Sequence, residues 1–209
     1  MNKSNIGLFP LFSWPLLRNN LENQESANNS ILDFVQNEPL RDNSGNLIHE
    51  SIKILDRPEL ASLKAEILEH INYFVYEVLA YVDVEVELLQ SWINVTTPGQ
   101  YHHIHRHTNS IVSGTYYPFG TEKAPLVFHN PNVFQFVPNT DPNKQSPVSM
   151  ISKNCLYVSP SPSELLLWLS PLVHGVKSNE SNNNRVSLSF NVMIRGYCGH
   201  QESLSGVEL

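Results

Sequence analysis

The chain has 209 residues, of which 41% are hydrophobic and 16% charged. That composition is too apolar for disorder and too polar for a membrane protein, and its length fits one domain over residues 1–209. Lys and Arg number 13 against 20 Asp and Glu, a net charge of −7, and no basic patch recommends a nucleic-acid partner. Cys155 and Cys198 form neither a CxxC pair nor a repeated framework, which fits free thiols in a reducing, cytoplasmic compartment.

The apolar opening Ile6–Leu17 carries Pro10 and Pro15 and lacks a small-residue cleavage pattern after it, so it reads as an edge strand or extended segment rather than a leader. It is also too short to cross a bilayer. From Arg18 to Ser51 the chain is polar and Asn-rich, with an apolar island at Ile31–Val35 worth one or two helical turns and a turn at RDNSGN (Arg41–Asn46). Asp56 is expected at the helix cap, with Pro58 in the first turn and Glu59 three residues on from the cap, as in a capping box. Leu60, Leu63, Ile67, Ile71, Phe74, Val78 and Val82 then recur every three or four residues. The spacing predicts one long helix over residues 57–82 with a single apolar stripe; His70 beside it reads as a boundary residue without a catalytic role.

After Tyr81 the pattern turns to β. VDVEVELLQSWINVTT alternates and ends at the Pro98-Gly99 turn, and the chain continues into the histidine-rich strand. Further strands are expected at Ile111–Phe119, Leu126–His129, Asn154–Val158, Leu165–Leu169 and Arg185–Ile194, separated by turn-rich segments such as NPNVF and PNTDPNKQSP. Several short strands behind one long helix predict a mainly β sandwich or barrel buttressed by that helix. The tail after Gly196 is expected to be frayed or to lie along the surface.

Four of the nine histidines lie between positions 102 and 107. His105 and His107 are spaced i and i+2, so on an extended strand both imidazoles face one way and can share a metal ion. His102 and His103 read as surface residues of a polar loop, and Trp92 and Trp168 as core. Further on, His174 follows an apolar strand and a Ser-Pro turn. Arg185, Ser187, Ser189 and Asn191 occupy alternate positions of the last strand, with Val186, Leu188 and Phe190 between them. Ser113, Thr115 and Tyr117 alternate in the same way, so two hydroxyl-bearing strand faces can line a pocket for an anion. An arginine among hydroxyls is a good carboxylate receptor, because its guanidinium gives two parallel charge-assisted hydrogen bonds.

HRHTNSIVSGTYYP together with SPLVHGV and RVSLSFNV resembles the iron(II) and 2-oxoglutarate dependent oxygenases, and more narrowly a group of them found in marine bacteria and their phages. The resemblance spans about Trp92 to Val192. It implies a double-stranded β-helix (jelly-roll, cupin-like) core and an enzyme, a hydroxylase, that uses Fe(II), 2-oxoglutarate and O2 and releases succinate and CO2. Carried over residue by residue, it makes His105 and His174 metal ligands and puts His107 where the wider superfamily has a carboxylate. Arg185 and Tyr117 would hold the distal carboxylate of 2-oxoglutarate, Ser187 and Asn191 would line its pocket, and Asn94 is a weaker candidate on the substrate side. The substrate, a small molecule or a protein, and the oligomeric state are not legible; a phage-encoded chain would act in its host's cytoplasm. Two other readings stay open: a three-histidine zinc hydrolase or hydratase, and a non-catalytic metal-binding β-barrel module.

Overall fold

The computed structural model describes residues 13–131, 154–200, 202 and 204–209. In chain order the N-terminal part forms β1 (Leu16–Asn20), α1 (Glu25–Asn37), β2 (Leu40–Asp42), β3 (Leu47–His49) and α2 (Ala61–Tyr73). The remainder is β: β4 (Glu85–Thr96), β5 (His102–His105), β6 (Val112–Tyr117), β7 (Leu126–His129), β8 (Cys155–Val158), β9 (Glu164–Leu169), β10 (His174–Val176), β11 (Arg185–Arg195), β12 (Tyr197–Cys198) and β13 (Val207–Glu208).

Eight of these strands pair in a nested antiparallel series, β4 with β11, β5 with β10, β6 with β9 and β7 with β8. The pairs fall alternately into two sheets, one ordered β1-β9-β6-β11-β4-β3-β2 and the other β5-β10-β7-β8. One long hairpin rolled into two sheets is the double-stranded β-helix.

Both faces of the larger sheet are covered, which is why its strands alternate without being exposed. Ile93, Val95, Tyr116, Leu165, Leu167, Val186, Leu188 and Phe190 point outward into a core shared with Ile31 and Phe34 of α1 and Leu63, Ile67 and Ile71 of α2. The other face turns Tyr117, Leu166 and Trp168 toward Leu126, Phe128, Val158 and Val176, most of them on the smaller sheet. Gly114 belongs to the first contact: a Cβ there would lie 2.3 Å from Phe190 Cζ and 2.6 Å from Leu167 Cδ2.

The helical region differs from expectation in three ways. The apolar island at Ile31–Val35 is part of a 13-residue helix, because the Asn and Ser positions around it form the solvent face while Ala27, Ile31 and Phe34 are buried. The expected 57–82 helix forms as one helical run over residues 58–78 and stops short of Val82: a 3₁₀ turn at Pro58–Leu60 leads into α2 and a π turn at Phe74–Val78 ends it, with a separate 3₁₀ turn at Ile54–Asp56 before. Asp56 caps nothing and instead accepts a hydrogen bond from Lys64 Nζ at 2.7 Å. Leu60 through Phe74 of the expected stripe are buried, but Val78 and Val82 are 41% and 75% exposed. The wider π turn changes the angular phase, and Ala80 at φ 57° then takes the chain out of the helix.

Of the expected segment Ile6–Leu17, Leu16 and Leu17 begin an edge strand, β1, which runs on to Asn20. It is clamped to β9 by Arg18, whose Nε and Nη2 donate to the Glu164 carboxylate at 2.6 and 3.1 Å; Ile6–Phe12 lies outside the described residues. RDNSGN is the β2–β3 turn. The expected strands after Tyr81 all form, within a few residues of their predicted bounds. PNTDPNKQSP and the end of NPNVF lie outside the described residues. The tail is a small hairpin of β12 and β13 lying at the surface. Among the described residues no helix is long and apolar enough to cross a membrane.

Candidate metal centre and anion pocket

The nested pairing brings together histidines far apart in sequence. His174 on β10 is the direct cross-strand partner of His105 on β5. His107 lies just beyond the end of β5, held by its backbone N–H on Ser170 O at 3.1 Å. The expectation that His105 and His107 share one strand is therefore corrected: β5 stops at His105, and a loop anchored by a backbone hydrogen bond carries His107 to the same place. One ligating nitrogen from each of the three residues lies within 4.8 Å of the others.

The tautomers follow from the hydrogen bonds. Ring Nδ1 of His105 is 2.8 Å from His103 O, and Nδ1 of His174 is 2.8 Å from Leu172 O. Carbonyls only accept, so both Nδ1 atoms carry the proton and both Nε2 lone pairs are free, the orientation typical of metal-binding histidine. His174 Nε2 lies 3.3 Å from His107 Nε2. Two nitrogens bound at about 2.1 Å to one ion stand roughly 3.0–3.4 Å apart. Burial also keeps these rings neutral, which is the ligating form: it lowers His107 to about 4, His174 well below its ordinary value, and His105 in the same direction.

The second half of the pocket is Arg185, which is 6% exposed. It donates from Nε to Ala124 O at 3.2 Å, from Nη1 to Ser187 Oγ at 3.1 Å and from Nη2 to Tyr117 Oη at 3.1 Å. Burial raises the Tyr117 hydroxyl, with Arg185 opposing it. Among the described residues none of Arg185's partners is an anion. A guanidinium buried among neutral acceptors is costly unless a negative group joins it.

Of the remaining predicted residues, Asn94 lines the same pocket. Its Nδ2 donates to Ser189 Oγ at 3.2 Å and its buried Oδ1 has no partner among the described residues. Asn191 does not line it: its carboxamide is engaged by Ser113 and Gln90. Six residues of strand separate it from Arg185, about 20 Å.

Several lining residues were missed or misread. Trp168 is buried but also faces the pocket, edge-on to His174 at 5.0 Å, with no partner for its Nε1 among the described residues; Trp92 lines it beside His107 at 5.9 Å. Ser189 and Thr115, which alternation sets on the hydroxyl-bearing faces, do line the pocket alongside Ser187 and Tyr117. His102 is a pocket residue as well, stacked on His105 at 4.6 Å. A register shift between β5 and β10 sets two residues of β5, His103 and Ile104, against one of β10, Gly175, and this bulge brings positions 102 and 105 into phase. Period-2 counting cannot see it. The cysteines are both free.

The arrangement offers three neutral imidazoles for a cation and, across the pocket, a buried cation for an anion. Residues 90–191 match the family model described as "Putative 2OG-Fe(II) oxygenase". No curated protein sequence matches the chain. Among solved structures the chain is similar to a Pseudomonas putida prolyl-4-hydroxylase, with a TM-score of 0.58 at 15% identity over 88% of this chain and 93% of that one. It is also similar to HygX from Streptomyces hygroscopicus with nickel, 2-oxoglutarate and hygromycin B bound, at 0.58, 12%, 85% and 82%. The third is the epimerase SnoN of nogalamycin biosynthesis, at 0.62, 12%, 85% and 76%. The matched residues 90–191 hold the three histidines and the arginine of the pocket, and this match together with the shared fold supports a 2-oxoglutarate and iron(II) dependent oxygenase, an enzyme that works with iron(II), 2-oxoglutarate and O2.

Proposed function

We propose that the chain, acting as one domain, is a hydroxylase in which His105, His107 and His174 hold iron(II) and Arg185, Tyr117 and Ser187 hold the far carboxylate of 2-oxoglutarate. The observation that carries this reading is the buried Arg185, which among the described residues is hydrogen-bonded only to neutral acceptors and lines the same pocket as the histidines. Hydrolysis by zinc-bound water does not require such a group.

Iron(II) and 2-oxoglutarate together supply the activation of O2, with release of succinate and CO2. The chain's own residues bind and orient. His103 O and Leu172 O fix two imidazoles with Nε2 inward. Arg185 and its two hydroxyl partners set where a dicarboxylate ends. Trp168, Leu126 and Val176 give the pocket apolar wall, which keeps water from the reacting centre. Three neutral imidazoles leave the full charge of a divalent ion uncompensated, which favours a dianionic cosubstrate.

The hydroxylase reading is supported by the likeness to the prolyl-4-hydroxylase. A small molecule or a protein side chain is the substrate class that suits a chain of net charge −7. The free cysteines support a cytoplasmic site of action, and HRHTNSIVSGTYYP supports kinship with the marine bacterial and phage group.

The test is an anaerobic titration of metal-free protein with iron(II) and then 2-oxoglutarate, following the visible charge-transfer band of the chelate. The band should appear, and Arg185→Ala should abolish it while still binding iron. Iron binding without any band, or a variant that keeps its 2-oxoglutarate affinity, would sink the assignment.

A further inference from the structure

The run His102-His103-Ile104-His105 presents a second imidazole trio that the proposed iron site does not use. Its ring centroids stand 5.0, 4.6 and 5.1 Å apart for the pairs 102–103, 102–105 and 103–105. The corresponding distances in the trio His105, His107 and His174 are 5.0, 4.5 and 5.1 Å. Here too one ligating nitrogen from each residue lies within 4.8 Å of the others. The rings of His102 and His103 make no hydrogen bond among the described residues, whereas a histidine fixed for packing alone normally satisfies its ring nitrogens. His103 is exposed and the other two are partly so, so the trio opens to solvent on the outer side of His105.

We propose that His102, His103 and His105 form a second cation site, for a divalent first-row transition ion that prefers imidazole, such as zinc, nickel or copper. With no carboxylate in the set, magnesium and calcium are poor fits.

The two trios share His105, and His105 has one nitrogen to give. Its Nδ1 proton is committed to His103 O at 2.8 Å, so Nε2 serves either the outer trio or the inner one. Occupation is therefore mutually exclusive. An ion in the outer trio withdraws a ligand from the inner site, so a zinc-type ion there lowers the inner site's affinity for iron without entering it. This consequence for activity rests on the function proposed above; the existence of the outer site does not.

The experiment counts zinc bound by the full-length, metal-free chain in equilibrium dialysis. His174→Ala disables the inner trio and leaves the outer one whole, so this variant should bind one zinc ion. Adding His103→Ala should weaken that binding by at least the roughly hundredfold that losing even an outer partner of a ligand can cost. His107→Ala, with and without His103→Ala, repeats the comparison on a background that keeps the buried His174, and far-ultraviolet circular dichroism confirms that each variant is folded. His103→Ala alone should keep the iron(II) and 2-oxoglutarate band. Absence of zinc from folded His174→Ala and His107→Ala, or zinc retained after His103→Ala is added, would overturn the proposal. Failure of the oxygenase reading would show separately, as a missing band in the unsubstituted protein.

Discussion

His105 and His174, 69 positions apart in the chain, face each other directly across the β5–β10 ladder, with ring centroids 4.5 Å apart. Their closeness depends on the residue next to His174. A Cβ on Gly175 would stand 3.0 Å from His102 O and 3.2 Å from His103 O. Gly175→Ala should therefore push the two strands apart by a few tenths of an ångström or more. Iron(II) affinity is expected to fall by about tenfold to a hundredfold, since small misplacements of ligating groups are felt strongly. Isothermal titration of the anaerobic protein measures it, and unchanged affinity would show that the ligand pair does not depend on this contact.

Tyr117 accepts a hydrogen bond from the buried Arg185. Tyr117→Phe keeps the ring and removes the hydroxyl. Hydrogen bonds to charged groups contribute about 1.5–3 kcal/mol, so 2-oxoglutarate should bind roughly 10- to 100-fold more weakly while iron binding stays as it was. Titration of the charge-transfer band at fixed iron gives both quantities, and a loss of iron as well would mean that Tyr117 supports the fold rather than the anion.

The metal-free protein should lose stability on mild acidification. The folded state holds His107 at about 4 and His102 at about 3, both chiefly by burial, against about 6.5 in the unfolded chain. The unfolded state then binds more protons between those values, so stability is full above pH 6.5 and falls as the pH drops toward 4. Urea denaturation at pH 7, 6 and 5 reads this slope. A midpoint independent of pH over that range would show that these rings are not held neutral.

Ile67 is fully buried against the large sheet, whereas Val82 is 75% exposed. Ile67→Ala should cost about 2–5 kcal/mol of stability and Val82→Ser no more than about 0.5 kcal/mol. Neither should change zinc or iron stoichiometry in the folded protein. Comparable losses from the two would mean that the helical stripe continues past the π turn after all.

The sequence by itself determined the elements whose signal is local. Alternation located β4, β6 and β11 and set Arg185, Ser187 and Tyr117 on hydroxyl-bearing faces, because a strand repeats every two residues whatever it packs against, and a continuous apolar run located β9. Resemblance supplied the roles of His105, His107, His174 and Arg185, and all four line one pocket. Tertiary structure alone decided the rest. The bulge that turns His102 inward arises from pairing β5 with β10, partners more than 65 residues apart, and no local pattern encodes a register. Trp168 reads as core from its composition and is core, yet its edge also faces His174, because in a rolled sheet the same apolar face serves as both packing surface and pocket wall. Asn191 has the right phase but lies too far along β11: alternation fixes which face a side chain takes, and only the closure of the two sheets fixes how far along the strand the pocket reaches.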